Sequence, residues 1–466
     1  MKHGSSRPPA GRQGRRLLSI QQLVVLAFAA VIVAGAALLL TPVCMRDDAP
    51  ALGVVDALFT ATSAVCVTGL TVRDTGGEFT FAGQLVILLL IQAGGLGILT
   101  FSNMLFLLGA RRIGMRGRMA MEETLGVLPS LSLKGVLARV FIFTFACEGV
   151  GAALLTARFA VDHSLPTALW MGVFHAVSAF CNAGFGLLGT NLVAYSGDLL
   201  VNVVVMGLIV LGGLGFIVVE DLWMWFRRRG SRHTVRLSLH SRVVLRTTLL
   251  LIVAGTVLFF FIELPGSAMP GGLADRLLPS AFLSVTCRTA GFNTVDMAQL
   301  SNPSLMLCLL LMFIGGSPGS TAGGIKTTTF ATLNALLFSR AKNRPKVELL
   351  GRSLPPDVVT KALAATAGAV AMVLLATAVI ELLEQSGRPS SAAGNSFLWV
   401  LFEVVSALGT VGLSVGITAK LGAAAKLVLV VCMFVGRLGT LLVAFSVVGS
   451  VRRVEYTLPE ERIIVG

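Results

Sequence analysis

Four three-residue groups stand where a polypeptide could strip the water from a monovalent cation: Val67-Thr68-Gly69, Asn182-Ala183-Gly184, Thr289-Ala290-Gly291 and Thr410-Val411-Gly412. None holds a charged side chain. The chemistry on offer is therefore that of backbone carbonyls, which replace a hydration shell when several of them face one axis. The closing glycine lets each loop take backbone angles that other residues resist, turning carbonyls inward. The groups belong to a repeat. Phe59 to Leu70, Phe174 to Phe185 and Phe402 to Leu413 share Phe-x3-Ser-Ala-x4-Gly at identical spacing. A fourth copy, Ala281 to Phe292, keeps the ending, but its Phe282 sits one place late and the Ser-Ala pair is missing from its offset. The four glycines lie 115, 107 and 121 residues apart, a long-period repeat of the kind that decides a fold. One such glycine alone would be read as a helix-packing residue; four in register, each ending a short helix, favour the carbonyl ring.

A second register follows each glycine by 24 to 28 residues: Gly94-Gly95-Leu96-Gly97, Gly212-Gly213-Leu214-Gly215, Gly315-Gly316-Ser317 and Gly436-Arg437-Leu438-Gly439. Close helix packing explains the first two. The third continues as Gly315-Gly316-Ser317-Pro318-Gly319-Ser320-Thr321-Ala322-Gly323-Gly324, and five glycines with a proline cannot run as a regular helix. It reads as an intramembrane loop. Arg437 lies near the middle of an apolar span, too deep to snorkel, so its guanidinium must face the interior. The expectation is that Arg437 donates to carbonyls of this loop and holds it as a gate under the ring, with Lys326 at the inner end adding to the latch. A purely structural Arg437 and a snorkelling Lys326 are the bland alternatives. Arg288 beside the third group would repel cations unless neutralised, with Glu403 as the candidate partner. Glu148, in mid-span, reads equally as an ion site or a hydrogen-bonded structural carboxyl. Cys66, Cys181 and Cys287 read as packing residues.

These loops need elements to hold them at depth. Apolar runs at Leu17–Thr41, Gln84–Leu108, Gly135–Phe159, Leu199–Phe226, Val243–Leu264, Leu305–Phe338, Val358–Leu383 and Leu421–Val448 read as spans. Between them fall half-helices starting at a capping Asp56, near Pro166, at Pro279 and at Asn395-Ser396, too short to cross roughly 30 Å of hydrocarbon. The expected fold is an all-α integral membrane protein of four pseudo-symmetric units, each a span, a re-entrant pore helix and a span, giving eight transmembrane helices around a central pore. The units fall at 17–108, 135–226, 243–338 and 358–448. Linkers lie at 109–134, 227–242 and 339–357, and tails at 1–16 and 449–466.

Composition bounds the class. Hydrophobic residues make up 55% and charged residues 13%, too few charges to clothe a soluble surface. The net charge of +14 does not signal nucleic acid, because 28 of the 37 Lys and Arg sit in the two tails and in the connections counted as 109–139, 227–246 and 326–361. That is the positive-inside pattern, predicting cytoplasmic termini in a multi-pass membrane protein. Seven cysteines without C-x-x-C spacing point to neither zinc nor disulfides. Gly184-Phe185-Gly186-Leu187-Leu188-Gly189 matches a dinucleotide fingerprint, and Gly319 to Thr327 resembles a phosphate loop, but neither follows a strand. Nothing here predicts an enzyme.

The segments Thr62 to Leu70, Gln92 to Gly97, Arg288-Thr289-Ala290-Gly291-Phe292-Asn293, the Gly315 to Lys326 loop, Gly436 to Thr440 and the tail Pro459 to Gly466 together resemble the Trk/Ktr/HKT superfamily of potassium transporters, most closely its Ktr membrane subunits. The resemblance covers Leu17 to Gly466. It implies inward K+ conduction through the four-loop filter and no covalent cofactor. It also implies a homodimer, Na+ as an activator, and ATP or ADP acting only through a cytosolic nucleotide-binding ring of the KtrA type. Gly69 in the first filter loop points to K+ rather than Na+. The alternatives are a TrkH-type or Na+-conducting relative, or a non-conducting membrane receptor or scaffold.

Overall fold

The computed structural model describes residues 20–112, 133–227, 237–264, 266, 272–385 and 396–448. The expected tails at 1–16 and 449–466, the Asn395 cap and most of the linkers at 109–134 and 227–242 lie outside them. Among the described residues the helices are α1 (Ile20–Leu39), α2 (Val54–Val65), α3 (Phe81–Arg112), α4 (Leu133–Phe159), α5 (Leu165–Phe180), α6 (Leu199–Leu214) and α7 (Phe216–Arg227). They continue as α8 (Leu239–Ile262), α9 (Leu273–Thr286), α10 (Asn302–Phe313), α11 (Thr327–Ala341), α12 (Pro356–Gln385), α13 (Ser396–Gly409) and α14 (Ala423–Val448). A two-residue hairpin pairs β1 (Glu348–Leu349) with β2 (Arg352–Ser353) between α11 and α12.

The outer helices are apolar all round. In α1 a stripe of Val24, Phe28, Ile32, Ala36 and Leu39 is buried, while Leu26, Val33 and Leu38 remain exposed. On α8 the exposed residues include Leu249, Leu250, Val253, Val257 and Phe261, and on α12 Leu374, Leu375 and Leu382. An exterior of this kind is matched to hydrocarbon, not water. Leu137–Phe159, Leu239–Ile262 and Pro356–Glu384 are each long and apolar enough to cross a membrane, and α6 with α7 would make a fourth.

The short helices α2, α5, α9 and α13 sit inside this shell. The repeated phenylalanines Phe59, Phe174, Phe282 and Phe402 are fully buried, as are the residues following each glycine, Leu70, Phe185, Phe292 and Leu413. The repeat therefore anchors each short helix at one end and its exit loop at the other. Packing then joins the pieces: α3 lies against α5, α6 against α9, α10 against α13, and α14 returns to α2.

Three expectations are corrected. Asp56 is not a cap: Gly53 takes that position, and Asp56 in the first turn of α2 binds Lys426 Nζ at 2.8 Å and Arg73 Nε at 3.5 Å. Pro279 does not open its helix, because α9 starts at Leu273, where the Asp275 carboxylate accepts from Gly272 N at 2.9 Å. The expected continuous span Leu199–Phe226 is broken, with α6 and α7 bent by 99° at Gly215, whose φ is +84°. By contrast, α3 runs straight through Gly94 and Gly95, and α14 through Gly436 and Arg437.

Candidate functional site

Each short helix ends in the same way. After α2, Thr68 N donates to Ser63 O at 2.8 Å and Val67 N to Ala64 O at 3.1 Å, with Val67 at φ +54°. That is a Schellman closure, which normally places glycine at its left-handed residue. The same closure joins Ala183 N to Ser178 O (2.7 Å) and Val411 N to Ser406 O (2.8 Å), with Asn182 at φ +59° and Thr410 at φ +49°. The third loop is one residue shorter: Ala290 N reaches Thr286 O at 3.0 Å, and Thr289 stands at φ +72°. Branched side chains at such angles are strained by about 1–3 kcal/mol each and persist only where the surroundings impose them.

The repeated serine is part of this cage. Ser63 Oγ accepts from Gly69 N at 3.1 Å, Ser406 Oγ from Gly412 N at 3.0 Å, and Ser178 Oγ donates to Phe185 O at 2.8 Å. In the third loop Thr286 Oγ1 donates to Phe292 O at 2.5 Å. Thr286 follows Phe282 by the four residues that separate Phe59 from Ser63, so counting from the phenylalanine recovers a hydroxyl that counting from the glycine misses.

Two residues after each strained position the glycines are again left-handed: Gly69 at φ +94°, Gly184 at +70°, Gly291 at +77° and Gly412 at +93°. Alternating handedness lines up successive carbonyls on one side of the chain. The four loops also meet. A Cβ built on Gly69 falls 2.4 Å from Ala183 O, on Gly184 2.8 Å from Ala290 O, on Gly291 2.6 Å from Val411 O and on Gly412 2.1 Å from Thr68 O. First touches second, second third, third fourth, and fourth first. Only glycine fits at this closure, and the C-terminal, partially negative ends of four helices lead into it.

The segment from Ile314 to Lys326 interrupts what would be one span between α10 and α11. Its base is pinned by Gly315 N to Ile325 O (2.8 Å) and Thr327 N to Gly316 O (3.0 Å). The elbow between α6 and α7 receives it. Ser317 N donates to Gly213 O at 3.0 Å, Thr321 N to Gly212 O at 3.2 Å, Ser317 Oγ to Leu214 O, and Phe216 N returns a bond to Gly319 O at 3.2 Å. Thr321 Oγ1 donates to Phe180 O at 3.2 Å, at the end of α5, and a Cβ on Gly323 would lie 2.0 Å from Thr410 Oγ1. The loop thus abuts the ends of two short helices.

Arg437 is buried, and its guanidinium donates to Thr321 O and, at 3.3 Å, to Gly94 O. Lys326 Nζ donates to Ala322 O at 2.7 Å and Gly323 O at 3.4 Å. Both cations therefore donate to loop carbonyls, and Arg437 also ties the loop to α3 through Gly94 O. Pro318, Ser320 and Gly324 complete the loop; Ser320 Oγ donates to Ser317 O at 2.7 Å, and Gly324 is left-handed at φ +63°.

The suggested Arg288–Glu403 pair does not form. Glu403 accepts from Ser414 Oγ and, at 2.7 Å, from Thr418 Oγ1, while Arg288 Nη2 donates to Gly315 O at 3.1 Å. Hydroxyls next to the carboxylate and a carbonyl within reach of the guanidinium give each group a partner of its own. Glu148 accepts from Gln92 Nε2 at 3.1 Å and lies 3.8 Å from Cys181 Sγ. Gly94, Gly212 and Gly436 pack on the ends of short helices, their built Cβ atoms 1.9, 1.9 and 2.0 Å from Val65 O, Phe180 O and Leu408 O. Sequence reasoning did not find the α6–α7 elbow. Among the described residues no cluster of His, Cys, Asp and Glu could hold a metal ion.

A lipid-matched helical shell around a carbonyl-lined convergence, with cations turned onto a buried loop, defines a multi-pass membrane protein of the ion-transporting class. Residues 15–451 match the family model described as TrkH, cation transport protein, and the chain belongs to that family. It is 36% identical to the potassium/sodium uptake protein NtpJ of Enterococcus hirae, covering 97% of this chain and 98% of that one. It is 36% identical to the Ktr system potassium uptake protein B of Bacillus subtilis, covering 91% and 92%, and 35% identical to the protein of that name from Vibrio alginolyticus, covering 98% and 97%. The crystal structure of the potassium transporter TrkH from Vibrio parahaemolyticus superposes with a TM-score of 0.69 at 20% identity, over 93% of this chain and 86% of that one.

Proposed function

We propose that this chain is the ion-translocating membrane subunit of a potassium uptake system. The observation that carries the reading is the closed contact among Gly69, Gly184, Gly291 and Gly412, each two residues after a strained left-handed position. On this reading the groups 67–69, 182–184, 289–291 and 410–412 form a selectivity filter whose carbonyls take the place of the K+ hydration shell. The helices group into four pseudo-symmetric units, eight spans in all, about the pore. Gly315 to Gly324 is the gate, latched by Arg437 and Lys326. The high identity to uptake proteins of potassium over nearly the whole chain supports K+ as cargo. The name Ktr system protein B supports further system components, which we read as a cytosolic nucleotide-binding ring of the KtrA type under a homodimer. Activation by Na+, nucleotide control through the ring and cytoplasmic termini complete the proposal.

The test is rubidium uptake into proteoliposomes holding the purified chain, competed with K+, Na+ and Li+, for the natural protein and for Arg437→Ala. Competition by K+ far stronger than by Na+, with faster uptake in Arg437→Ala, is the expected result. Absence of uptake in both, with the fold intact, would contradict conduction.

A further inference from the structure

The third filter loop is attached differently from the other three. In the first, second and fourth, the short helix is clamped to the helix that follows by a glycine on a carbonyl of its last turn: Gly94 on Val65 O, Gly212 on Phe180 O, Gly436 on Leu408 O. The corresponding glycine in the third is Gly315. A Cβ built there meets Gly323 O and Gly324 Cα within the loop, not the end of α9. At that place a side chain stands in for the glycine clamp. Three residues before their filter glycines, the other loops carry Cys66, Cys181 and Gly409, whereas the third carries Arg288. Its guanidinium crosses to the first residue of the gate loop, donating from Nη2 to Gly315 O at 3.1 Å.

Arg288 is buried and immediately precedes Thr289, held left-handed at φ +72° in the loop that is one residue short. Its Nε has no hydrogen-bond partner among the described residues, and Arg288 lines a small cavity together with Gly213, Thr248 and Gly316. A rigid backbone contact cannot yield without moving a helix. A hydrogen bond from a long side chain can break and re-form as its acceptor moves.

We infer that Arg288 is a positioning residue that links the third filter loop to the gate loop, so that ion occupancy of the filter and the position of the loop control one another. The inference rests on the filter and gate reading above. Linkage makes it reciprocal: an ion that orders Thr289 to Gly291 strengthens the hold on Gly315, and displacing the loop loosens the third filter segment.

The test is hydrogen–deuterium exchange of the full chain in lipid nanodiscs, in KCl against choline chloride, following peptides over 287–292 and 314–326. In the natural protein K+ slows exchange in both, by roughly tenfold in the loop, the scale of one hydrogen bond from a charged donor. In Arg288→Gln the slowing persists over 287–292 and is lost over 314–326, and Arg288→Lys restores it in part. Arg288→Met, which keeps the stem's bulk, serves if the Gln variant does not fold. Loop slowing that survives removal of the guanidinium overturns the link, as does filter slowing without loop slowing in the natural protein. Slowing in neither segment overturns the filter reading itself.

Discussion

Gly412→Ala isolates the closure of the four loops and so tests the proposed filter, because the chain supplies its own control four residues on. Gly412 and Gly416 have nearly the same φ, +93° and +87°. Each alanine variant therefore carries the same left-handed penalty, about 1–2 kcal/mol. Their surroundings differ: a Cβ on Gly416 meets nothing within 4 Å, whereas one on Gly412 falls 2.1 Å from Thr68 O and 2.9 Å from Gly69 Cα. Ordinary contact begins at 3.4 Å, so the first or fourth loop must retreat by more than an ångström, carrying its carbonyls with it. Thermal melting and rubidium uptake competed with Na+ would be measured on both variants in proteoliposomes. Gly416→Ala should melt lower by an amount matching the backbone penalty and discriminate as the natural protein does. Gly412→Ala should lose at least about tenfold in K+ over Na+ discrimination, equivalent to about 1.4 kcal/mol. Natural discrimination in a folded Gly412→Ala would refute the reasoning.

Thr286→Val removes the hydroxyl that holds Phe292 O and should cost about 1 kcal/mol in thermal stability with weaker K+ competition, while Thr286→Ser keeps both. Gly215→Ala forces a side chain to within 2.8 Å of Pro318 O and Ser317 Oγ at a left-handed position. The loop should then leave its elbow, and uptake should rise as in Arg437→Ala; unchanged uptake would remove the elbow from the account of gating.

Hydropathy and the repeat made most of the helices and the four converging loops legible before any coordinates, since a buried Phe at one end and a left-handed Gly at the other leave a fixed spacing. The elbow at Gly215 was not legible. Gly94-Gly95-Leu96-Gly97 and Gly212-Gly213-Leu214-Gly215 are the same string, yet one lies in an unbroken helix and the other turns by 99°. The difference is tertiary. Carbonyls of Gly212, Gly213 and Leu214, freed by the break, find donors in Thr321 and Ser317, more than a hundred residues away. The partner of Arg288 escaped for a related reason: Glu403 was the candidate, but the acceptor is the backbone carbonyl of Gly315, which leaves no complementary residue to read. Pro279 misled because α9 begins a turn and a half earlier and tolerates the proline inside.

The central claim is that four backbone loops bind one file of alkali cations. Crystals of the full chain grown with Rb+ in place of K+, measured at the rubidium absorption edge, test it most directly. The account predicts anomalous density on the axis enclosed by Gly69, Gly184, Gly291 and Gly412, within coordinating distance of the carbonyls of residues 67–69, 182–184, 289–291 and 410–412. Rubidium bound elsewhere, with that axis bare in a well-ordered crystal, would contradict it.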